Sequence, residues 1–407
     1  MFPRAHWGGT WLAPFTAMNT RLPQRQCRCS RTHAYRACLV IISLATVQGA
    51  YSQVLLDTSS SQLTNEAFAN VTTGQISGAR GRPTMADDLR LDGGTRLLGR
   101  FRFDDGPDIG VRVAAEASES DARLVEASFL VFGGHGRLEF GERMGLPDVL
   151  TGYAPNNFQF TSAEFGPASG PSLDPAGRLQ TRFLPSSLAA QIDRLVGLGV
   201  TAALFDDQSA KILYVSPKKH GWLGGVSYAR DADDETVGEL VQIGLTHESY
   251  WQQNVLRWGG TYASGRAGSV DGQSHRDLSS VSLGASLTLN DALMLGVAAS
   301  YDGRSLLPIT SEDRFASAAW GATVSANYNV GPWTIGAYYQ YASAEGSVLT
   351  ARNDRLSAFE LGASYRFTTK VRLYGAWYRF EFEDDDLSEA TLSEVGNVFV
   401  LGLRLTL

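Results

Sequence analysis

The chain is poor in cysteine, in charge and in long apolar runs, and each shortage removes a class of protein. Its only cysteines are Cys27, Cys29 and Cys38, all near the N-terminus. The body of the chain therefore has neither a disulfide framework nor a thiolate metal centre. Residues 1–52 contain no Asp or Glu, only Arg4, Arg21, Arg25, Arg28, Arg31 and Arg36. That basic stretch runs into the apolar segment Ala37 to Val47 and then into small residues around Gly49 and Ser52. This order predicts a cleaved secretory signal peptide over 1–52. The apolar segment is about half the ~20 residues a spanning helix needs. Cleavage after Ser52 or after Gly49 fits the small-residue rule, and Met18 is an alternative start. Cys38 begins the apolar segment instead of following it, which argues against a lipid-anchored N-terminus.

Without residues 1–52, Lys+Arg falls from 35 to 29 while Asp+Glu stays at 42, a net charge of −13. Such acidity excludes nucleic acid as a partner, because binding it requires a basic surface. Beyond the leader no apolar run is long enough for a spanning helix. An exported chain without one can still cross a bilayer as a closed barrel, whose backbone groups are satisfied between strands.

What the chain does have is glycine (43 residues), aromatics (10%) and a pervasive period of two. In 95–103, Leu97, Gly99, Phe101 and Phe103 share one face while Arg96, Arg100 and Arg102 share the other. In 109–117, Ile109, Val111, Val113 and Ala115 oppose Arg112 and Glu116. At the C-terminus Phe399, Leu401, Leu403, Leu405 and Leu407 make an apolar row against Gly402, Arg404 and Thr406. Alternation of this kind is the mark of strands with two unlike faces. Periodicity alone leaves open whether the apolar row faces a dry core or lipid.

Loop lengths decide between them. Candidate strands fall at 95–103, 109–117, 122–132, 136–143, 210–216, 222–230, 237–247, 253–264, 277–289, 292–301, 316–329, 332–344, 353–366, 370–381 and 394–407. The connections alternate short and long. Among the short ones are Asn290-Asp291, Asn329 to Gly331 and Phe367 to Thr369; the long ones include 265–276, 302–315 and 382–393. Residues 248–252 read as a looser short turn. Sorting by parity belongs to outer-membrane barrels, not to soluble sandwiches. Fifteen strands require one more, expected in 54–92, best placed at Ala67 to Ser77. Aromatics near strand ends (Trp222, Trp258, Trp333, Tyr365, Phe367) suit the interfacial girdles of such a barrel. The expected fold is therefore all-β, a 16-stranded antiparallel transmembrane β-barrel. Residues 53–94 form an N-terminal segment with the first strand, and 95–407 form the rest of the barrel.

Enzyme chemistry is missing from the text. Gly362-Ala363-Ser364 continues as Tyr365-Arg366, so no nucleophile elbow forms. His247-Glu248 continues as Ser249-Tyr250-Trp251, so no zincin pair forms. Gly197-Leu198-Gly199 lacks a third glycine at the spacing a dinucleotide site needs. His135, His220, His247 and His275 all fall in or beside proposed connections. We expect no catalytic residues, no metal site and no cofactor.

Three passages resemble the trimeric general porins of Gram-negative bacteria, in particular the alphaproteobacterial type. They are Glu126 to Gly133 leading into Gly136 to Gly141, then Lys211 to Pro217 followed by Gly221 to Tyr228, and the alternating last strand. The resemblance spans roughly 95–407. It implies an outer-membrane, water-filled channel for passive diffusion of small hydrophilic solutes and ions, assembled as a homotrimer among lipid and lipopolysaccharide. It also implies that 143–208, between strands five and six, folds into the pore and constricts it. The family usually ends in an aromatic that the assembly machinery recognises; here Leu407 stands last.

On that resemblance, wall arginines Arg96, Arg100, Arg102, Arg112 and Arg137 would face loop acids Asp148, Glu164 and Asp174 across the constriction. Their opposed charges would set a transverse field on passing solutes. The plainer reading is a set of solvated or salt-bridged lumen residues. A substrate-selective channel would instead show a file of lumen aromatics, with Tyr338 and Gln340, or Tyr374, Ala376 and Tyr378, as candidates. The acidic run Glu381 to Asp386 in the last long loop reads as a solvated face, or as a site for cations bridging lipopolysaccharide.

Overall fold

A computed structural model describes residues 53–77, 90–104, 106–118, 122–143, 145–150, 209–230, 237–270, 273–305, 307, 309, 318–345, 353–384 and 392–406. Sixteen strands alternate up and down, and each pairs with its sequence neighbour. They are β1 (Ser61–Ser77), β2 (Arg90–Phe101), β3 (Asp108–Ser118), β4 (Ala122–Gly133), β5 (Gly136–Glu142), β6 (Ala210–Val215), β7 (Trp222–Ala229), β8 (Val237–Trp251), β9 (Asn254–Ala267), β10 (Leu278–Leu289), β11 (Leu293–Gly303), β12 (Ala319–Val330), β13 (Trp333–Glu345), β14 (Asn353–Arg366), β15 (Val371–Asp384) and β16 (Leu392–Thr406). β16 pairs antiparallel with β1, from Asn397 opposite Ser77 to Thr406 opposite Phe68, and this closes the barrel. A short strand, Gln53–Asp57, takes the same edge of β1 from Asn65 onward, where β16 has ended. The expected barrel and strand number are thus observed. No helix among the described residues is long and apolar enough to cross a membrane.

Turn chemistry explains the tight end. Asn290 and Asp291 both adopt left-handed φ (50° and 55°), the backbone that matches strand twist in short hairpins. Gly331 does the same between β12 and β13 at φ 58°. Long connections all lie at the other end, apart from the brief β3–β4 link.

The barrel is apolar outside. Leu245, Ile243, Leu283, Val297, Val324, Ile335, Leu361 and Leu401 are exposed on the outward rows, and the row with Phe399 and Leu401 points away from the lumen, at 50% and 54% exposure. Rims of aromatic rings bound this band. At the short-turn end Trp222 stacks with His247 (4.4 Å between centroids) and Trp258 (5.2 Å), and Trp333 meets Tyr365 at 4.8 Å. At the long-loop end Trp320 meets Tyr341 at 5.3 Å, and within the band Phe359 meets Trp377 at 5.9 Å.

Several boundaries depart from expectation. β8 runs on to Trp251, so His247 sits inside a strand and its ring joins the girdle; it is not a turn residue. Glu248 is held inward by Arg257 (2.8 Å) and Lys218 (3.0 Å), which gives that polar stretch a reason to stay extended. β2 ends at Phe101. The Arg102 N–H donates to Ser60 O at 2.8 Å instead of continuing a ladder, and its guanidinium reaches Asp57 at 3.5 Å. β15 continues to Asp384, so Glu381 and Glu383 of the acidic run are strand residues. Phe380 and Phe382 face in and are buried, while Glu383 points out toward Arg355 at 3.8 Å.

Candidate functional site

A dense cluster of charge lies on one side of the barrel interior. Arg96 (β2), Arg112 (β3), Glu126 (β4), Arg137 and Glu139 (β5) and Lys211 (β6) all occupy inward positions, because the same alternation that turns Leu97, Val111, Phe129, Phe140 and Ile212 outward turns these in. Glu139 is the hub. Its carboxylate accepts from Arg112 at 3.1 Å, pairs with Arg137 at 2.5 Å, and pairs with Arg143 just past the end of β5. Only 1% of Glu139 is exposed. Next to it, Arg96 bridges Glu126 (3.2 Å) and Glu66 (3.6 Å). Lys211 donates to the Arg143 carbonyl at 2.5 Å. Arg96, Arg112, Arg137, Arg143 and Lys211 thus stand against Glu66, Glu126 and Glu139. Two charge-assisted hydrogen bonds, from Arg112 and Arg143, and the ion pair with Arg137 converge on one carboxylate and hold the guanidinium groups against the wall, and the excess charge is positive.

Sequence reasoning found three of these cations in place, Arg96, Arg112 and Arg137. Arg100 and Arg102 sit apart at the short-turn end, tied to Asp108 (2.5 Å) and Asp57 respectively. The partners Glu66, Glu126, Glu139, Arg143 and Lys211 were missed. Their signal was available, since Glu139 follows Arg137 by two residues and so shares its face. Of the loop acids, Asp148 falls within a short helix, and Glu164 and Asp174 lie outside the described residues.

That helix, α1 (Leu146–Leu150), opens the connection between β5 and β6. It sits inside the barrel. Leu146 and Leu150 pack with Leu213 and Val215 of β6, with Leu223 of β7 beside them. The Leu146 N–H donates to Gln242 Oε1 at 2.9 Å, and the same oxygen accepts from Ser227 Oγ at 2.7 Å. Two wall glycines make room for it. A Cβ at Gly225 would come within 2.6 Å of Leu146 Cδ1 and 2.7 Å of Tyr214 O, and one at Gly244 within 2.6 Å of Leu150 Cδ1.

The opposite wall is small and mostly uncharged, with Asp302 of β11 and Arg257 of β9 among its inward charges. Thr261 of β9, Ser280, Ser282 and Ser286 of β10, Ser300 of β11, Thr323, Ser325 and Asn327 of β12, and Gln340 of β13 face inward. Their period-two spacing between Leu283, Val297 and Val324 puts hydroxyls and amides on the lumen side. The candidate aromatics Tyr338, Tyr374 and Tyr378 do face inward, as do Phe380 and Phe382, but all are buried against the wall. Gly402 and Gly396 provide the space: a Cβ there would lie 2.3 Å from the rings of Tyr374 and Phe380.

This arrangement, apolar outside and charged or hydroxylated inside, fits a water-filled passage through lipid. Comparison with known proteins agrees. Residues 39–385 match the family described as Gram-negative porin. No curated protein sequence matches the chain. Among solved structures, the fold is similar to OmpT, an outer membrane protein of Vibrio cholerae, in its trimer form (16% identity, TM-score 0.57, covering 85% of this chain and 99% of that one). It is also similar to a triple mutant of Rhodopseudomonas blastica porin (15% identity, TM-score 0.53, covering 85% and 100%). At such identities the likeness speaks for the fold alone, and the family rests on the profile match. Charged lumen, lipid-facing girdles, closed sixteen-strand sheet and family match together place the chain in the Gram-negative porin family, as a channel of the bacterial outer membrane.

Proposed function

We propose that this channel is a general one, carrying small hydrophilic solutes and ions by passive diffusion, with no chemistry performed on them. The observation that carries this reading is the division of the inner wall. A positively biased, salt-bridged cluster around Glu139 faces a wall dominated by hydroxyls and amides across the lumen. Polar solutes meet hydrogen-bonding groups on both sides, while no exposed aromatic file lies among the described residues to select a sugar. Of the Ser–His contacts among the described residues, Ser249 Oγ to His247 Nδ1 (3.2 Å) is on the outward, lipid-facing row, where a hydrolytic pair would serve no lumenal substrate.

In this reading 143–208 is the constriction loop. Its first turn, α1, is seated on the inner wall, and Asp148, Glu164 and Asp174 set a negative side against Arg96, Arg112 and Arg137. Arg100 and Arg102 act lower, at the periplasmic mouth. Neutralising the loop acids together (D148N, E164Q, D174N) should raise anion over cation permeability in a planar bilayer under a salt gradient. Unchanged reversal potential would overturn the transverse-field assignment. The assembly is a homotrimer in a bilayer whose outer leaflet is lipopolysaccharide, with the acid-rich rim at Glu381 and Glu383 facing its headgroups.

The seat of α1 can be tested separately. At Gly244 the atoms a Cβ would strike are the ends of Leu150 and Thr261, with backbone no closer than 3.4 Å. Gly244→Val should therefore spare the barrel and dislodge the helix. Single-channel conductance should rise and open-channel noise increase; currents identical to the parent's would rule out a loop held at that seat.

A further inference from the structure

A second set of cations lines the inner wall, far from Glu139 and differently organised. Arg366 of β14 lies directly opposite Arg372 of β15, and Arg372 directly opposite Arg404 of β16. All three belong to inward rows, in phase with Ser364, Tyr374 and Gly402. Opposed residues on neighbouring strands hold their Cβ atoms about 5 Å apart, and like charges so placed repel. Around Glu139 every arginine shares a carboxylate. Here Arg366 and Arg372 are exposed and form no ion pair among the described residues. Arg404 lays its guanidinium over the Phe68 ring at 5.1 Å. Lys370, in the adjoining turn, adds to the same sign.

The row continues into an unsatisfied amide. Asn70 of β1 stands opposite Arg404. It is 1% exposed, and neither Nδ2 nor Oδ1 has a hydrogen-bond partner. The next position is Asp92 of β2. Its backbone is three strand spacings from that of Arg372, about 14 Å. The Arg366 and Arg372 guanidinium groups, opposed in register, cost stability as they stand. An oxyanion among them turns repulsion into charge-assisted hydrogen bonds, for which the planar arginine fork is well shaped.

We propose that Arg366, Arg372 and Arg404, with Asn70, form a binding station at the periplasmic mouth for the oxyanion group, phosphate or carboxylate, of a solute leaving the channel. The inference rests on the channel reading and adds a solute class to it. Because Arg366 and Arg372 are exposed, binding is weak and exchange fast, as transit requires.

The test uses the full chain, purified from membranes and inserted in a planar bilayer in KCl. Inorganic phosphate or succinate is added to one side and then the other while single-channel current is followed. We expect a saturable reduction of current, stronger from one side, and the tighter of the two titrants names the oxyanion. In R366Q/R372Q the half-saturating concentration should rise about tenfold, the loss of a charge-assisted bond, while R366K/R372K keeps most of the effect. Heat-shifted gel mobility reports whether the variants fold, and R372Q alone replaces the double variant if it does not. Saturation unchanged in the glutamine variant, or current linear in phosphate and succinate for the parent, overturns the station. A parent that conducts nothing would instead strike at the channel reading itself.

Discussion

Glu139→Gln should make the channel markedly more anion-selective and less heat-stable at once. The carboxylate at this position is shared by Arg112, Arg137 and Arg143, so neutralising it leaves three guanidinium groups around an amide that can accept only from some of them. Removing one partner of a buried ionic group costs about 3 kcal/mol or more, and the folded barrel should lose its gel mobility at a lower temperature. The electrostatic effect has its own signature. A unit charge about 4 Å from an ion in water shifts its energy by about 1 kcal/mol, roughly a fivefold change in relative permeability. Reversal potentials in a KCl gradient near 0.1 M should show that change. At 1 M, where the screening length shrinks to about 3 Å, it should largely vanish. A variant with parental selectivity at low salt would mean that the cluster is walled off from the ion path.

How much of this was legible in the sequence depends on what each face of a strand touches. Where the outer face meets lipid, the contrast is strong, and the limits read for β14 are the observed ones. β1 was hard to place because its outward row, Leu63, Asn65, Ala67 and Ala69, is small and partly polar, and Ala67 and Ala69 are buried. Little hydrophobic contrast remains to mark period two there. In the sequence β8 stops at His247, because a histidine and a glutamate look like a turn. In fact the girdle accepts an imidazole between two tryptophans, and the lumen accepts a carboxylate beside Arg257. β15 ends early in the sequence for the mirror reason: the acidic run reads as a loop, while the alternation of Phe382 with Glu381 and Glu383 simply continues.

The candidate site was legible by phase and illegible by partner. Arg96, Arg112 and Arg137 could be put on the inner wall because their neighbours at odd spacing were apolar. Which carboxylate they would meet depends on cross-strand register. Arg112 lies level with Ser128 and Gly141, and Glu139 is one inward position away along β5. Register between strands that are joined through turns of different length is not written in any one strand. The long connection offered anchors and acids without their positions, and only α1 shows how its beginning is held. Its seat depends on Gly225 and Gly244, two residues that read in the sequence as ordinary strand glycines.

The inverted polarity of the barrel makes the sharpest forecast, through two substitutions on one strand. Leu283 of β10 is 62% exposed, midway along an outward row, between girdles. Arginine there must sit in hydrocarbon or drag water and headgroups toward it, at a cost of about 2–4 kcal/mol near the midplane. Thr288 lies five residues on, an odd spacing, so its side chain faces the lumen. Arginine at 288 remains hydrated and should leave folding nearly untouched, while adding a positive charge to the periplasmic mouth. Leu283→Arg should therefore sharply reduce the heat-modifiable folded form in outer membranes, and Thr288→Arg should keep it and shift reversal potential toward anions. In a soluble sandwich with the same strands the order would reverse, since the apolar row would be the buried one and the polar row the free surface. Equal folding yields for the two variants would contradict the assignment of the outer row to lipid, and with it the membrane channel.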